Sequence, residues 1–291
     1  MAFLGIDHPL IAVRDLEQTI ATYRALGFFI APPGQHPWGT STALALFHHQ
    51  ILEIVSIGDP SLLDGYEAGG FRFGRHVERF LNLSEGVALT ALFTEDAAQA
   101  EAELAARNIP CTGTVNFGRD VRRADGQPDR TKTTLKIFHN ADMPRLSVFA
   151  CQQHRRDLLE FPDRMTHPNG AHGFEAVTIA AEDVAPVLDW LCALHGENPG
   201  KDALGFDRVA TTNGYWRIGT PAQVNALLGV ELPDDFLASG PRIAGLDVRV
   251  KDLAQVQQAA AGVMLHQRDG ALVVSDMAKL GGIALRFVNR S

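Results

Sequence analysis

The chain has 291 residues, of which 46% are hydrophobic and 21% charged, and 26 Lys+Arg against 34 Asp+Glu give a formal charge of −8. At roughly 150 residues per domain this length predicts about two domains, and the composition excludes a disordered chain. The acidic balance excludes a basic face for nucleic acid or an anionic membrane. Cys111, Cys151 and Cys192 are scattered, which predicts a reducing, cytoplasmic setting with neither a disulfide framework nor a thiolate zinc cluster.

The run from Gly5 to Val13 predicts a first strand; Asp7 and His8 interrupt its apolar pattern, unlike a signal peptide. A helix follows, with Leu16, Ile20, Tyr23 and Leu26 on one face, Asp15 as its cap and Gly27 at its end. Residues 25–52 carry no Asp, Glu, Lys or Arg, but Pro32, Pro33, Gly34 and Pro37 break the stretch, so no membrane span is expected. Strands are predicted over Ser41–Phe47 and Ile51–Ile57. An irregular insert, 59–85, contains a short amphipathic helix with Phe71, Phe73, His76 and Phe80. The same order of strand, Asp, helix and strands returns three times. Its later first strands begin near Val87, Glu175 and Ile243, with caps at Asp96, Asp183 and Asp252; the last two helices are expected to close at Gly196 and Gly262. Later strands are expected over Lys132–Phe138, Leu146–Cys151, Arg208–Thr212, Tyr215–Ile218, Ala271–Val274 and Ile283–Val288. One such unit is too small to bury its apolar face alone. The reading is therefore an α+β fold of four βαβββ modules, paired as domains 1–155 and 171–291 with a linker at 156–170.

Four βαβββ-like units, together with His36-Pro37-Trp38-Gly39-Thr40, Ile51-Leu52-Glu53-Ile54-Val55, Phe149-Ala150-Cys151-Gln152-Gln153-His154 and His167-Pro168-Asn169-Gly170-Ala171, resemble the vicinal oxygen chelate superfamily, and within it the glyoxalase-like proteins with tandem paired modules. That resemblance implies two glyoxalase/bleomycin-resistance-like domains whose curled mixed sheets enclose a cavity. It also implies a divalent metal, held by His or Gln on first strands and by Glu on last strands, that chelates two adjacent substrate oxygens. Lyase, isomerase and dioxygenase chemistries all occur on this fold, so the fold leaves the reaction open.

By this resemblance His8 holds the first-strand ligand position and Glu53 the last-strand position of module one, for zinc, iron, manganese or nickel. Glu53 also stands out by itself, as a carboxylate among Ile51, Leu52, Ile54 and Val55 that is costly to bury unless it is paired or ligated. A structural ion pair is the competing reading. The positions matching His8 in the other modules, Leu89, Ala176 and Gly245, cannot bind a metal, and the last-strand positions offer Ser147 or its neighbours and Arg286. A third ligand is expected from His154, then from His36 or His167 in their proline-containing turns; the bland reading makes each a loop histidine that orders its turn. Glu53 and His154 are the expected proton-transfer groups, and His36, Trp38, Phe149 and His167 the expected substrate contacts. GYEAGGFRFG lacks the Lys-Ser/Thr of a phosphate loop, and no GxSxG elbow occurs. The preferred reading is a metal-dependent enzyme acting on a small oxygenated organic molecule. The alternative is a metal-free protein that sequesters a small molecule, as bleomycin-binding proteins do. Expected partners are that small molecule and, in an open question of assembly, a second copy as a homodimer.

Overall fold

The computed structural model describes residues 3–123 and 125–290. Its first half contains β1 (Gly5–Ala12), α1 (Leu16–Ala25), β2 (Gly34–Gln35), β3 (Thr40–Phe47), β4 (Gln50–Ile57), α2 (Phe73–Leu81), β5 (Gly86–Phe93), α3 (Ala97–Ala105), β6 (Gly113–Phe117), β7 (Asp120–Arg122), β8 (Pro128–Arg130), β9 (Thr133–Phe138) and β10 (Val148–Gln153). The second half contains β11 (Ala171–Ala180), α4 (Ala185–His195), β12 (Gly200–Lys201), β13 (Asp207–Ala210), β14 (Tyr215–Gly219), α5 (Pro221–Leu228), β15 (Arg242–Val250), α6 (Leu253–Ala259), β16 (His266–Arg268), β17 (Ala271–Val274) and β18 (Ala284–Asn289).

These strands form two curled eight-stranded mixed sheets, ordered β2-β3-β4-β1-β5-β10-β9-β6 and β12-β13-β14-β11-β15-β18-β17-β16, with β7 and β8 as a separate hairpin. In each quarter the first strand lies parallel to the last, as β1 does to β4 and β11 to β14, and the first strands of adjacent quarters pair antiparallel. The α+β expectation of curled mixed sheets is met.

Local chemistry explains the boundaries. Asp15, Asp96 and Asp252 each accept backbone N–H bonds from the first turn that follows, and Asp183 accepts one from Ala185. α4 closes at left-handed Gly196 as expected, whereas α6 ends at Ala259, short of Gly262. α5 was not foreseen from the sequence; Thr220 and Gln223 form a reciprocal capping box around Pro221.

One hydrophobic core runs through both sheets. Phe47 packs on Phe174 at 5.5 Å, and burying such a ring contributes roughly 2–3 kcal/mol. Gln50 ties the halves together: its Oε1 accepts from Phe174 N and Arg249, while its Nε2 donates to Ile6 O. The segment expected as a linker joins the sheets and is itself anchored, with Leu158, His167 and Asn169 buried and Asn169 Nδ2 donating to Leu26 O. Among the described residues no helix is long and apolar enough to cross a membrane.

Candidate functional site

Strand alternation fixes the first part of the site. Parallel pairing sets Leu10 beside Glu53, and antiparallel pairing sets Leu44 across from it, so Glu53 shares a face with Ile51, Leu10 and, one pleat back, His8. The opposite face carries Leu52 and Ile54 into the shared core. A second, aromatic cluster including Leu10, Trp38, Phe73 and Phe149 covers the Glu53 face.

His8 Nε2 lies 3.1 Å from Glu53 Oε2, and both residues are buried. On the other side of the imidazole, Nδ1 lies 3.0 Å from Asp7 Oδ1. A carboxylate only accepts, so without a cation both ring nitrogens carry protons, Nδ1–H toward Asp7 and Nε2–H toward Glu53. Adjacent residues on a strand normally face opposite ways; here the register shifts between Ile6 and His8, leaving Asp7 as the extra residue of a bulge. Asp7 Oδ2 then accepts from Arg156 at 2.7 Å, and Arg156 also donates to Glu160 at 2.9 Å. Burial opposes charge on both Asp7 and His8. The flanking charges outweigh it, so Asp7 is held below the usual carboxylate value and His8 is raised above 6.5.

His36 arrives from the turn after β2. Its Nε2 is 3.8 Å from Glu53 Oε1, and its Nδ1 contacts Thr40 Oγ1 at 3.0 Å. Burial drives its pKa down to about 4, so it is a neutral imidazole. Trp38 stacks on it at 4.6 Å and on Phe73 at 4.9 Å. Two glycines permit this crowding. Gly39 has φ +85° and its Cβ would fall 2.3 Å from Asp59 O; a Cβ on Gly74 would fall 2.5 Å from Trp38 O. Thr42 donates to Glu53 Oε1 at 2.6 Å, and Phe149 sets its ring edge-on to His8 at 5.8 Å. The cavity holds about 40 Å³, room for one or two waters or a cation. Half-buried Phe117, Arg119, Gln153 and Leu159 are among the residues around it.

His8, His36, Glu53, Trp38 and Phe149 therefore come together, while two expected residues do not. His154 is exposed and its Nε2 meets Thr134 Oγ1; Gln153 takes the cavity face, so period-2 alternation turns His154 outward. His167 is buried in the shared core, where Nδ1 accepts from Phe29 N and Nε2 donates to Leu46 O. Both its ring nitrogens are used, which removes it as a ligand. Gln153 Oε1 accepts from Thr133. Cys151 also lines the cavity, and burial keeps its thiol protonated. His48 and His49 sit at the β3–β4 turn, and with Glu160 they bring three donor atoms within 4.8 Å. Arg156 already occupies that carboxylate.

Sequence reading missed Asp7, Arg119, Arg156, Phe73 and Phe117. Only Asp7 left a signal, its adjacency to His8, and strand alternation argued against using it.

The register also shows what the other quarters carry at the position of Glu53. Leu10, two residues beyond His8, pairs with Glu53; its counterparts Ala91, Thr178 and Asp247 pair with Phe149, Arg217 and Arg286. Asp247 Oδ2 accepts from Arg217 at 2.9 Å and Arg286 at 2.5 Å, so buried ion pairs fill the second sheet where the first has its donors.

Among solved structures, the chain is similar to a hypothetical protein from Staphylococcus aureus (12% identity, 99% of this chain and 100% of that one, TM-score 0.70). It is also similar to a mutant 4-hydroxymandelate synthase from Streptomyces coelicolor (13%, 100% and 94%, TM-score 0.53). A third is a xylose isomerase-like TIM barrel/4-hydroxyphenylpyruvate dioxygenase fusion protein (13%, 100% of this chain but 49% of that one, TM-score 0.55). These likenesses show the fold. No curated protein matches the chain. A family model described as glyoxalase-like domain matches residues 6–195, well over half of the 291 residues. With its two curled sheets of this type, the chain belongs to the glyoxalase-like domain family of the vicinal oxygen chelate superfamily.

Proposed function

We propose that this protein is a metal-dependent enzyme acting on a small oxygenated organic molecule, with His8, His36 and Glu53 as the metal ligands. The carrying observation is that Glu53 lies between two buried imidazoles whose other nitrogens are each engaged, by Asp7 and by Thr40. Such outer partners fix the orientation of a ligating histidine. Two imidazoles and a carboxylate form the donor set that suits non-haem iron(II), and zinc, manganese or nickel are also compatible. A bound cation would act as a Lewis acid on adjacent substrate oxygens and, as iron, would support oxygenase chemistry. Two structural neighbours, a 4-hydroxymandelate synthase and a 4-hydroxyphenylpyruvate dioxygenase fusion, favour the dioxygenase type over lyase or isomerase.

The chain's own residues have separable tasks. Asp7 fixes the His8 ring through Nδ1–H and so aims Nε2 at Glu53, where a bound cation would take the place of the Nε2 proton. Burial keeps His36 neutral, its Nε2 lone pair available when Nδ1–H is given to Thr40. Trp38, Phe73, Phe117 and Phe149 exclude water and offer an apolar wall to the substrate body. Glu53, with Thr42 on one oxygen, is the group best placed to move a proton.

The second reading is metal-free sequestration of a small molecule. It is favoured by the 3.1 Å His8–Glu53 pair, which satisfies both groups without a cation. Metal analysis of protein purified without chelator separates the two. One equivalent of metal in the wild type, falling below about a tenth in His8→Ala and Glu53→Gln, is the expected result. Wild-type protein that takes up no iron, zinc, manganese or nickel overturns the enzyme reading.

A further inference from the structure

The other charged and imidazole groups around the cavity have partners: His8 has Asp7 and Glu53, His36 has Thr40, and Glu53 has Thr42; Thr133 likewise has Gln153. Arg119 differs. Its backbone is clamped, with N donating to Thr131 Oγ1 at 2.8 Å and O accepting from Thr131 N at 2.9 Å. The preceding Gly118 allows this approach, since a Cβ there would fall 2.2 Å from Thr131 O. The side chain reaches across to β2, where a Cβ on Gly34 would sit 3.1 Å from a guanidinium nitrogen. Two residues beyond Gly34 is His36. The guanidinium makes no hydrogen bond or ion pair among the described residues, and Glu53 is not within ion-pair distance. Burial also depresses the Arg119 pKa, although Glu53 acts to raise it.

We propose that Arg119 recognises a carboxylate on the ligand, so that the molecule taken by this pocket is an organic acid whose anionic group lies beside its metal-binding oxygens. The inference rests on the metal-enzyme reading for the second half of that statement and on the unpaired guanidinium for the first. Charge balance supports it. Asp7 and Arg156 cancel, while a divalent cation with Glu53 and Arg119 leaves the pocket net positive. An arginine fork matches a carboxylate in two parallel hydrogen bonds, and bidentate pairing is stronger than contact with a neutral oxygen. The small cavity fits the same idea. A ligand larger than a few atoms enters only if a side chain at the rim moves, and Arg119 is free to do so because nothing in the protein holds its end.

Iron(II)-loaded protein, kept anaerobic, is titrated calorimetrically with catechol, 2,3-dihydroxybenzoate and 3,4-dihydroxybenzoate. The three probes share vicinal oxygens and differ in the carboxylate. At least one acid is expected to bind roughly 10- to 100-fold tighter than catechol, the range of one charge-assisted contact. In Arg119→Gln that advantage vanishes while catechol binding changes less than about threefold. Because the side chain holds nothing in the free protein, Arg119→Gln melts within about 2 °C of wild type, whereas a structural arginine would cost more. Acids that bind no better than catechol, or keep their advantage in Arg119→Gln, overturn the assignment, as does failure of all three to bind. The companion variant His8→Ala tells the two readings apart. Equal binding of acids and catechol that requires iron and His8 leaves the metal site standing and removes Arg119. A preference for the acids that needs Arg119 but neither iron nor His8 does the reverse.

Discussion

Asp7→Asn is the sharpest perturbation of this site, because the two side chains have the same shape. Asp7 is fully buried and accepts from His8 through one oxygen and from Arg156 through the other. An asparagine keeps one acceptor and turns an amide donor toward whichever partner remains, so one donor faces another. Losing one charge-assisted hydrogen bond costs about 1.5–3 kcal/mol, and breaking a buried ion pair from one side costs about 3–5 kcal/mol. Arg156 retains Glu160, which places the expected loss near the lower of these ranges, about 3 kcal/mol by urea unfolding of metal-free protein. The sign with pH follows from the lowered Asp7 pKa. The carboxylate contributes its stability above the ordinary value of 3.8 and loses it only as pH falls through the lower folded value, so the deficit of the variant is full at neutral pH. The same substitution loosens the aim of His8, and loss of an outer carboxylate weakens metal binding about 10- to 100-fold, read by competition with a chelating dye. Arg156→Gln breaks the network on the side away from His8; it is expected to cost stability while leaving metal affinity within about threefold. Asp7→Asn with wild-type metal affinity, or a stability loss under about 1 kcal/mol, would refute the chain of reasoning from the bulge to the ligand.

Two further outcomes concern the second sheet and the buried histidines. Asp247→Ala strands Arg286 and half-strands Arg217 in the interior, a loss of about 3–5 kcal/mol seen as a fall in melting temperature of roughly 10 °C; adding Arg286→Met recovers part of it. A melting temperature unchanged in Asp247→Ala would mean that the cluster is hydrated rather than sealed. Burial lowers the pKa of His76 to about 4 and of His195 to about 3. Each stays neutral in the fold while the unfolded chain takes up protons below 6.5, so their stability is present above 6.5 and drains away as pH falls. At about pH 4.5 each accounts for roughly 2–3 kcal/mol of lost stability relative to neutral pH. In His76→Gln, the drop in unfolding free energy between about pH 7 and 4.5 should shrink by that amount; an equal drop would show that His76 is not held neutral.

Much of the fold was legible because it is written in short-range chemistry. Aspartates before helices, glycine after α4 and alternation along Gly5–Val13 act within a few residues, and each leaves its mark in the sequence. Glu53 and His8 were legible for a related reason, since a carboxylate and an imidazole on apolar strands need partners. The failures have an equally physical origin. Position in the chain points to His154, yet one residue along a strand reverses the face. The proline turn points to His167, and that turn delivers it to the core between Phe28 and Phe47. The Asp7–His8 contact needs a bulge, which is set by pairing with β5 and leaves no local signature. Arg119 lies in another quarter of the chain from His8, so only the folded sheet sets it beside His36.

The four quarters show how one register position decides whether a cavity has donors or a plug. Each first strand pairs in parallel with a last strand, so a side chain at that site on the last strand faces the concave side of its sheet. Glu53 occupies it in the first quarter and is bracketed by His8 and His36. Phe149 occupies it in the second and becomes the wall against the His8 ring. In the second sheet Arg217 and Arg286 take the two positions, and Asp247 accepts from both. Two guanidiniums around one carboxylate fill by direct ion pairing a space that, in the first sheet, lies beside a cavity of about 40 Å³ where two imidazoles bracket one carboxylate. The difference is chemical: a neutral imidazole can offer a lone pair to a metal, and a guanidinium has none to offer. The second sheet supports the first through Gln50, Phe174 and Tyr23. Converting Arg217 to Glu would not restore a metal site there, because the position matching His8 is Ala176 and the added carboxylate would meet Asp202 and Asp247 with only Arg286 left to offset them.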